Sequence, residues 1–252
     1  KGSENLSLVR REEGDVGIYH VWPSQHKIKF QRHRSVFGLM NPGWFDRSFW
    51  EETLLSAGVG HSNAPHVLHV TGITPLITVN TRAAWSSALQ TAKSLKEAGR
   101  AKNLVVTMDL NHRPALGTWQ ELWGYVEPHL GTLDVLVFSI GDVIQVGTEF
   151  GEPFAEEFKA LKESGPIGFA GAPALDAAVK KSIGLLQNYL GNRTNIAVTC
   201  KVRDTLLESD RNRLPKQLRW SVVCLKDGTI LSTLDTAVTQ RVREEIGGGD
   251  SW

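Results

Sequence analysis

Leu104-Val105-Val106-Thr107-Met108 runs without a break into Asp109-Leu110-Asn111-His112-Arg113-Pro114. The first five residues are apolar or β-branched with no polar alternation, the pattern of a strand covered on both faces of a parallel sheet. The segment then turns polar, and Pro114 has no N–H to offer a ladder. The reading is a buried strand with chemistry-bearing residues just beyond its carboxyl end. Pro65-His66-Val67-Leu68-His69-Val70 has the same form and ends in Thr71-Gly72-Ile73-Thr74-Pro75. So does Asp134-Val135-Leu136-Val137-Phe138, which runs into Ser139-Ile140-Gly141-Asp142, and Ile196-Ala197-Val198-Thr199 is a fourth strand.

Helices fall between these strands. Ala84, Ala88, Ala92 and Leu95 keep helical spacing, Trp85 and Leu89 widen the stripe, and Gly99 sits where a C-cap belongs. Further helices are expected over 119–126, 154–162 and 175–190, with a short one capped by Asp46 and running through Phe49 and Leu54. Strands alternating with helices predict an α/β fold, a doubly wound and mainly parallel sheet flanked by helices. Ligands of such sheets bind beyond the carboxyl ends of the strands. One crevice would then collect Thr71–Thr74, Asp109–Arg113, Ser139–Asp142 and Gly247–Asp250.

Two smaller features complete the plan. Residues 17–22 and 27–32 alternate with period two around Pro23-Ser24-Gln25, which predicts a β-hairpin with Tyr19 and Phe30 packed on one face. Val202–Gln217 carries Arg203, Asp204, Glu208, Asp210, Arg211 and Arg213 and reads as a solvated loop. A hairpin of 219–225 and 229–231 closes it, turning at Lys226-Asp227-Gly228.

The chain has 252 residues, a formal net charge of +1 and 41% hydrophobic residues, the profile of a soluble globular protein. No run approaches the roughly 18 apolar residues of a membrane span, and the balanced charge leaves no footprint for nucleic acid. Cys200 and Cys224 are the only cysteines, which argues for a reducing, cytoplasmic setting without disulfides. Glu245-Ile246-Gly247-Gly248-Gly249-Asp250 follows a further expected strand, 237–242. Glycine lets the backbone bend where a Cβ would clash, and a glycine turn entering a helix aims several N–H groups at one anion. Asp250 is then either a helix cap or a proton acceptor. Since the helix behind such a turn would lie past Trp252, residues 1–252 read as one α/β domain incomplete at both ends, and an organellar leader is left open.

Together, His69-Val70-Thr71-Gly72-Ile73-Thr74-Pro75, Asp109-Leu110-Asn111-His112-Arg113-Pro114 and Gly247-Gly248-Gly249-Asp250 resemble the ribokinase-like (PfkB) carbohydrate kinases. Within that family they look most like the 2-keto-3-deoxygluconate kinases. Gly17-Ile18-Tyr19 followed by Phe30-Gln31-Arg32-His33-Arg34-Ser35 is similar to their lid pattern, G-[LI]-Y and then Y-x-R-x-x-S, with Phe30 in place of the second tyrosine. The resemblance implies a transferase using ATP with Mg2+ and a small-molecule sugar acid. It makes Asp250 the general base, and Gly247, Gly248 and Gly249 the anion hole. Arg32 and Arg113 match the arginines on the sugar acid's carboxylate, Tyr19, Ile73 and Thr74 line the sugar pocket, and Asn111 shapes the same strand end. Ser139, Asp142 and Thr199 fall on the nucleotide side, with no protein metal ligand assigned. A homodimer through the lid, residues 17–32, is an assembly it also implies. The family's T-x-G-x-x-G loop reads Thr199-Cys200-Lys201-Val202-Arg203-Asp204 here, with both glycines replaced. Two alternatives stand beside this reading: a kinase for a neutral sugar such as fructose or ribose, and a non-catalytic family member serving as a structural subunit.

Overall fold

The computed structural model of the chain describes residues 12–22, 27–56, 65–150, 168–203 and 216–241. They belong to two compact units, one built from 1–66, 73–104 and 113–125, the other from 67–72, 105–112 and 126–252.

The first unit holds a hairpin and a helical cluster. Strands β1 (Ile18–Trp22) and β2 (Lys27–Gln31) pair antiparallel with Tyr19 opposite Phe30; the expected turn at 23–25 lies outside the described residues. Helix α1 (Arg47–Ser56) begins as expected, with the Asp46 Oδ1 accepting the Phe49 N–H at 2.9 Å. A four-residue helix, α2 (Thr74–Ile77), leads into α3 (Val79–Glu97). The α3 stripe is buried along its length, Ala88, Leu89, Ala92 and Leu95 being at most 1% exposed. Thr78 and Thr81 cap its start reciprocally. At its end Gly99 takes φ +65°, and Gly99 N–H and Arg100 N–H donate to the carbonyls of Lys96 and Leu95, the pattern that closes a helix on a left-handed residue. Helix α4 (Trp119–Val126) buries Trp119, Leu122 and Trp123.

The second unit carries the sheet. Among the described residues its seven strands are β3 (His66–Thr71), β4 (Leu104–Asp109), β5 (Val135–Ser139), β6 (Asn195–Arg203), β7 (Lys216–Cys224), β8 (Ile230–Ser232) and β9 (Thr239–Arg241). They lie in the order β3-β4-β5-β6-β7-β8, with β9 also pairing with β7. The pairs β4–β5 and β5–β6 are parallel, while β6–β7, β7–β8 and β7–β9 are antiparallel. The expected parallel core is therefore present, extended by an antiparallel edge. Helix α5 (Ile140–Phe150) packs on β5 and β6, and α6 (Ala172–Tyr189) packs on β6 and β7. One sheet face, with Val106, Met108, Leu136, Phe138, Ile196, Val198 and Val222, is fully buried.

Three sequence expectations change. The stretch 202–217, read as a solvated loop, begins and ends in strand: β6 continues to Arg203 and β7 starts at Lys216, joined in an eight-pair ladder from Ile196–Cys224 to Arg203–Gln217. Thr199–Arg203, matched to a glycine loop, is accordingly strand. Burial alternates through it, with Cys200 and Val202 inside and Lys201 and Arg203 outside, so charges suggesting a loop are the exposed face of a strand. Helix α5 was not foreseen because Gly141, Gly147 and its β-branched residues are weak helix formers. The expected helix over 154–162 lies outside the described residues.

A buried carboxylate ties the antiparallel edge to α6. The Asp176 Oδ1 accepts from Trp220 Nε1 at 2.8 Å and Ser232 Oγ at 2.6 Å, and its Oδ2 pairs with Lys180 Nζ at 2.7 Å. Burial alone would raise its pKa, but the donors Lys180, Ser232 and Trp220 outweigh it and hold the carboxyl below its ordinary value. Its contribution to stability is then complete above the unfolded carboxyl pKa and lost as pH falls through the lower folded value. Asp176→Ala should cost about 3 kcal/mol at neutral pH, since it strands the Trp220 N–H and the Ser232 hydroxyl. Urea midpoints of both proteins should converge as pH drops below about 4; a pH-independent gap would refute the account.

Candidate functional site

The β1–β2 hairpin and the loop behind it are held by short local contacts. The Tyr19 and Phe30 rings sit 6.0 Å apart at 40°, and the Arg32 guanidinium lies 4.1 Å above the Phe30 ring. A ring face attracts a cation and fixes its plane. Ser35, 5% exposed, explains the R-x-x-S spacing: its Oγ donates to the Arg32 carbonyl at 2.6 Å and accepts the Gly38 N–H at 3.2 Å. At Gly38 a Cβ would stand 2.5 Å from the Arg32 carbonyl oxygen, so only glycine permits this turn. The Gly38 carbonyl in turn accepts from Thr78 Oγ1 at 2.7 Å, joining the loop after Arg32 to the segment that carries Ile73 and Thr74. Ile73 starts α2, and the Thr74 carbonyl accepts from Thr81 Oγ1 at 2.8 Å. Both residues are half-buried.

Arg113 belongs to the same unit. Desolvation, and then the Arg113 charge, hold the Arg32 pKa below its ordinary value. Two arginines 81 positions apart in sequence are thus close enough to repel. Guanidinium pairs in such a position match an anion with two oxygens to share, and the planar fork suits a carboxylate. In this unit the hairpin sets Tyr19 beside Phe30 and Arg32 above the same ring, Arg113 acts on Arg32 through its charge, and Ile73 and Thr74 lie at the loop-linked helix start.

The second unit places the remaining candidates at strand ends. Asn111 has φ +44°, a left-handed conformation that asparagine tolerates better than other side chains. That turn lets the Leu110 N–H donate to the Val137 carbonyl at 3.0 Å while its side chain is fully buried. Ser139 and Asp142 begin α5 as a reciprocal cap. Asp142 Oδ2 accepts from Ser139 N at 2.8 Å and Ser139 Oγ at 2.6 Å, and the Asp142 N–H donates back to that Oγ at 3.2 Å. Asp142 Oδ1 also accepts the His112 N–H at 3.4 Å, so this 5%-exposed carboxylate positions the loop after β4. The S-x-x-D spacing was the sequence signal for that cap. Thr199 pairs with Ser139 across β5–β6, its Oγ1 donating to the Phe138 carbonyl at 3.4 Å. Gly247, Gly248, Gly249 and Asp250 lie outside the described residues. Among the described residues no group of three or more His, Cys, Asp or Glu is arranged to hold a metal, and no helix is long and apolar enough to cross a membrane.

No family model matches the chain. A 2-dehydro-3-deoxygluconokinase from Thermotoga maritima superposes with a TM-score of 0.58 at 20% identity, over 89% of this chain and 54% of that one. A PfkB family carbohydrate kinase from Listeria grayi gives 0.49 at 15%, over 89% and 53%, and a PfkB protein from a Polaromonas species gives 0.48 at 15%, over 91% and 54%. The chain thus spans about half the length of the solved structures it matches. On the 0.58 superposition the chain, with its mixed sheet flanked by helices and a small two-stranded sheet, has the ribokinase-like fold.

Proposed function

We propose that this chain is the sugar-binding and phosphoryl-transfer part of a carbohydrate kinase acting on a keto sugar acid of the 2-keto-3-deoxygluconate kind. The reading is supported by the placing of Arg32, its guanidinium 4.1 Å above the Phe30 ring and its carbonyl held by the Ser35 turn, with the charge of Arg113 acting on it. A sugar acid brings a carboxylate whose oxygens suit the planar guanidinium fork, which a neutral sugar lacks. Arg32, oriented by the Phe30 ring and by the Ser35 turn, and Arg113, behind the β4 end, grip that carboxylate. Tyr19, Ile73 and Thr74 line the sugar, and Asn111 sets the course of the strand end.

ATP with Mg2+ would supply the phosphoryl group and neutralise its charge, on a side of the site where Thr199 and the cations of β6 suit a polyphosphate. The acceptor hydroxyl then needs a base within hydrogen-bond reach, the role given to Asp250. The backbone N–H groups of Gly247–Gly249 would meet charge developing on the transferred group without reorganising. The non-catalytic reading is favoured by one observation, the strand at Thr199–Arg203 where the family carries a glycine loop. The deciding experiment is phosphorylation of 2-keto-3-deoxygluconate, fructose and ribose with MgATP, alongside MgATP calorimetry. Turnover highest on the sugar acid is the expected result. Turnover highest on a neutral sugar would overturn the substrate, and neither turnover nor binding heat would leave the structural-subunit reading.

A further inference from the structure

The cap that opens α3 has two hydroxyls where one is usual. The Thr81 N–H donates to Thr78 Oγ1 at 3.2 Å, and the Thr78 N–H donates to Thr81 Oγ1 at 3.0 Å. The third position of such a box commonly holds glutamate or glutamine. A carboxylate there only accepts, whereas a threonine hydroxyl accepts and still has a proton to give. Thr81 Oγ1 reaches the Thr74 carbonyl at 2.8 Å and the Thr78 carbonyl at 3.0 Å. Thr78 Oγ1 donates to the Gly38 carbonyl at 2.7 Å, across 40 positions of sequence.

Beyond Gly38 the bonds continue. The Gly38 N–H donates to Ser35 Oγ at 3.2 Å, and the Arg32 carbonyl accepts from Ser35 Oγ at 2.6 Å and from the Ser35 N–H at 3.1 Å. Thr81 is 0% and Ser35 5% exposed, and Gly38 is buried, so water competes little for these bonds. Phe37 and Leu39, on either side of Gly38, are exposed, and their side chains do little to anchor the loop there. The Arg32 backbone is thus tied through Ser35, Gly38, Thr78 and Thr81 to the Thr74 backbone.

We propose that Thr78 is a positioning residue: acting through Gly38 and Ser35, it fixes the Arg32 arm relative to the Ile73–Thr74 pocket wall and so favours a substrate whose carboxylate lies at a set distance from its hydroxyls. This role rests on the sugar-acid reading above. It adds that acid selectivity depends on a hydroxyl engaged with a backbone carbonyl.

The test compares Thr78→Val, Ser35→Ala, their double variant and Thr78→Ser with the wild type. It measures kcat and KM with MgATP on 2-keto-3-deoxygluconate and on fructose, beside thermal melts. Thr78→Val and Ser35→Ala should each raise KM for the sugar acid about fivefold to tenfold. Their kcat should stay within about twofold, because a loosened arm weakens ground state and transition state alike. The double variant should lose no more than the worse single one, since both substitutions cut one chain of bonds. Thr78→Ser keeps the hydroxyl and should restore the wild-type KM. Fructose brings no carboxylate to Arg32, and its constants should not change. Thr78→Val also gives up the α3 cap and should melt lower, whereas Ser35→Ala leaves that cap intact. A KM shift shared by the two therefore does not come from capping. Should Thr78→Val not fold, Ser35→Ala and Thr78→Ser decide by the same readings.

An unchanged sugar-acid KM in Thr78→Val or Ser35→Ala, additive losses in the double variant, equal losses on fructose, or no restoration by Thr78→Ser overturns the role while the sugar-acid reading stands. A wild type that neither binds nor phosphorylates the sugar acid overturns that reading, and this role with it. If the wild type binds the sugar acid without phosphorylating it, the calorimetric Kd replaces KM. The same pattern then supports the role while the kinase reading fails.

Discussion

Asp250→Asn is expected to lower kcat by about a hundredfold or more while leaving sugar-acid binding and the melting temperature close to wild type. The size follows from the role: a positioned base that accepts the proton of the acceptor hydroxyl typically contributes that much or more. Asparagine separates the two readings of the position, because it caps a helix about as well as aspartate but takes up no proton. An aspartate that only caps would therefore give a variant with unchanged kcat. One whose loss unfolds the protein would show a lower melting temperature together with a fall in both kcat and binding. Steady-state kinetics on the sugar acid, read beside thermal melts, distinguishes the three outcomes.

The second large effect is expected at the arginine pair. A hydrogen bond to a charged group contributes roughly 1.5–3 kcal/mol. Arg32→Ala or Arg113→Ala should therefore lower kcat/KM on 2-keto-3-deoxygluconate by about tenfold to a hundredfold. Residual activity on fructose or ribose should change little, since those sugars bring no carboxylate to the clamp. Arg32→Ala loses in addition the contact with the Phe30 ring, so a modest loosening of the hairpin is expected there. Equal losses on all substrates would mean that the pair supports structure and not carboxylate recognition.

Much of the architecture was legible without coordinates. Ala84, Ala88, Ala92 and Leu95 mark α3, and Gly99 marks its end, because helical period and a left-handed glycine are local facts of four or five residues. The Leu104–Met108 run marks a buried strand for the same reason. Asp227-Gly228 marks the β7–β8 turn, where Gly228 takes φ +85°. The motifs after β3, β4 and β5 were placed at strand ends by alternation alone, and each is found there.

What the sequence determined by itself, then, was the kind of each regular element and its caps, since period, propensity and turn chemistry act between neighbours in the chain. Only the tertiary structure decided where the charges act. Lys201 and Arg203 look like loop residues until pairing with Arg219 and Gln217 turns them into the outer face of a strand. Asp142 reads in the sequence only as a residue at a strand end, and the fold adds that its oxygens accept the Ser139 and His112 N–H groups. Arg32 and Arg113 share no pattern in the chain, while the Ser35–Gly38 turn behind Arg32 is tied by its bond to Thr78, 40 positions on. Such contacts bring together residues tens of positions apart. Their strength comes from distance and desolvation, quantities that exist only once the chain has folded.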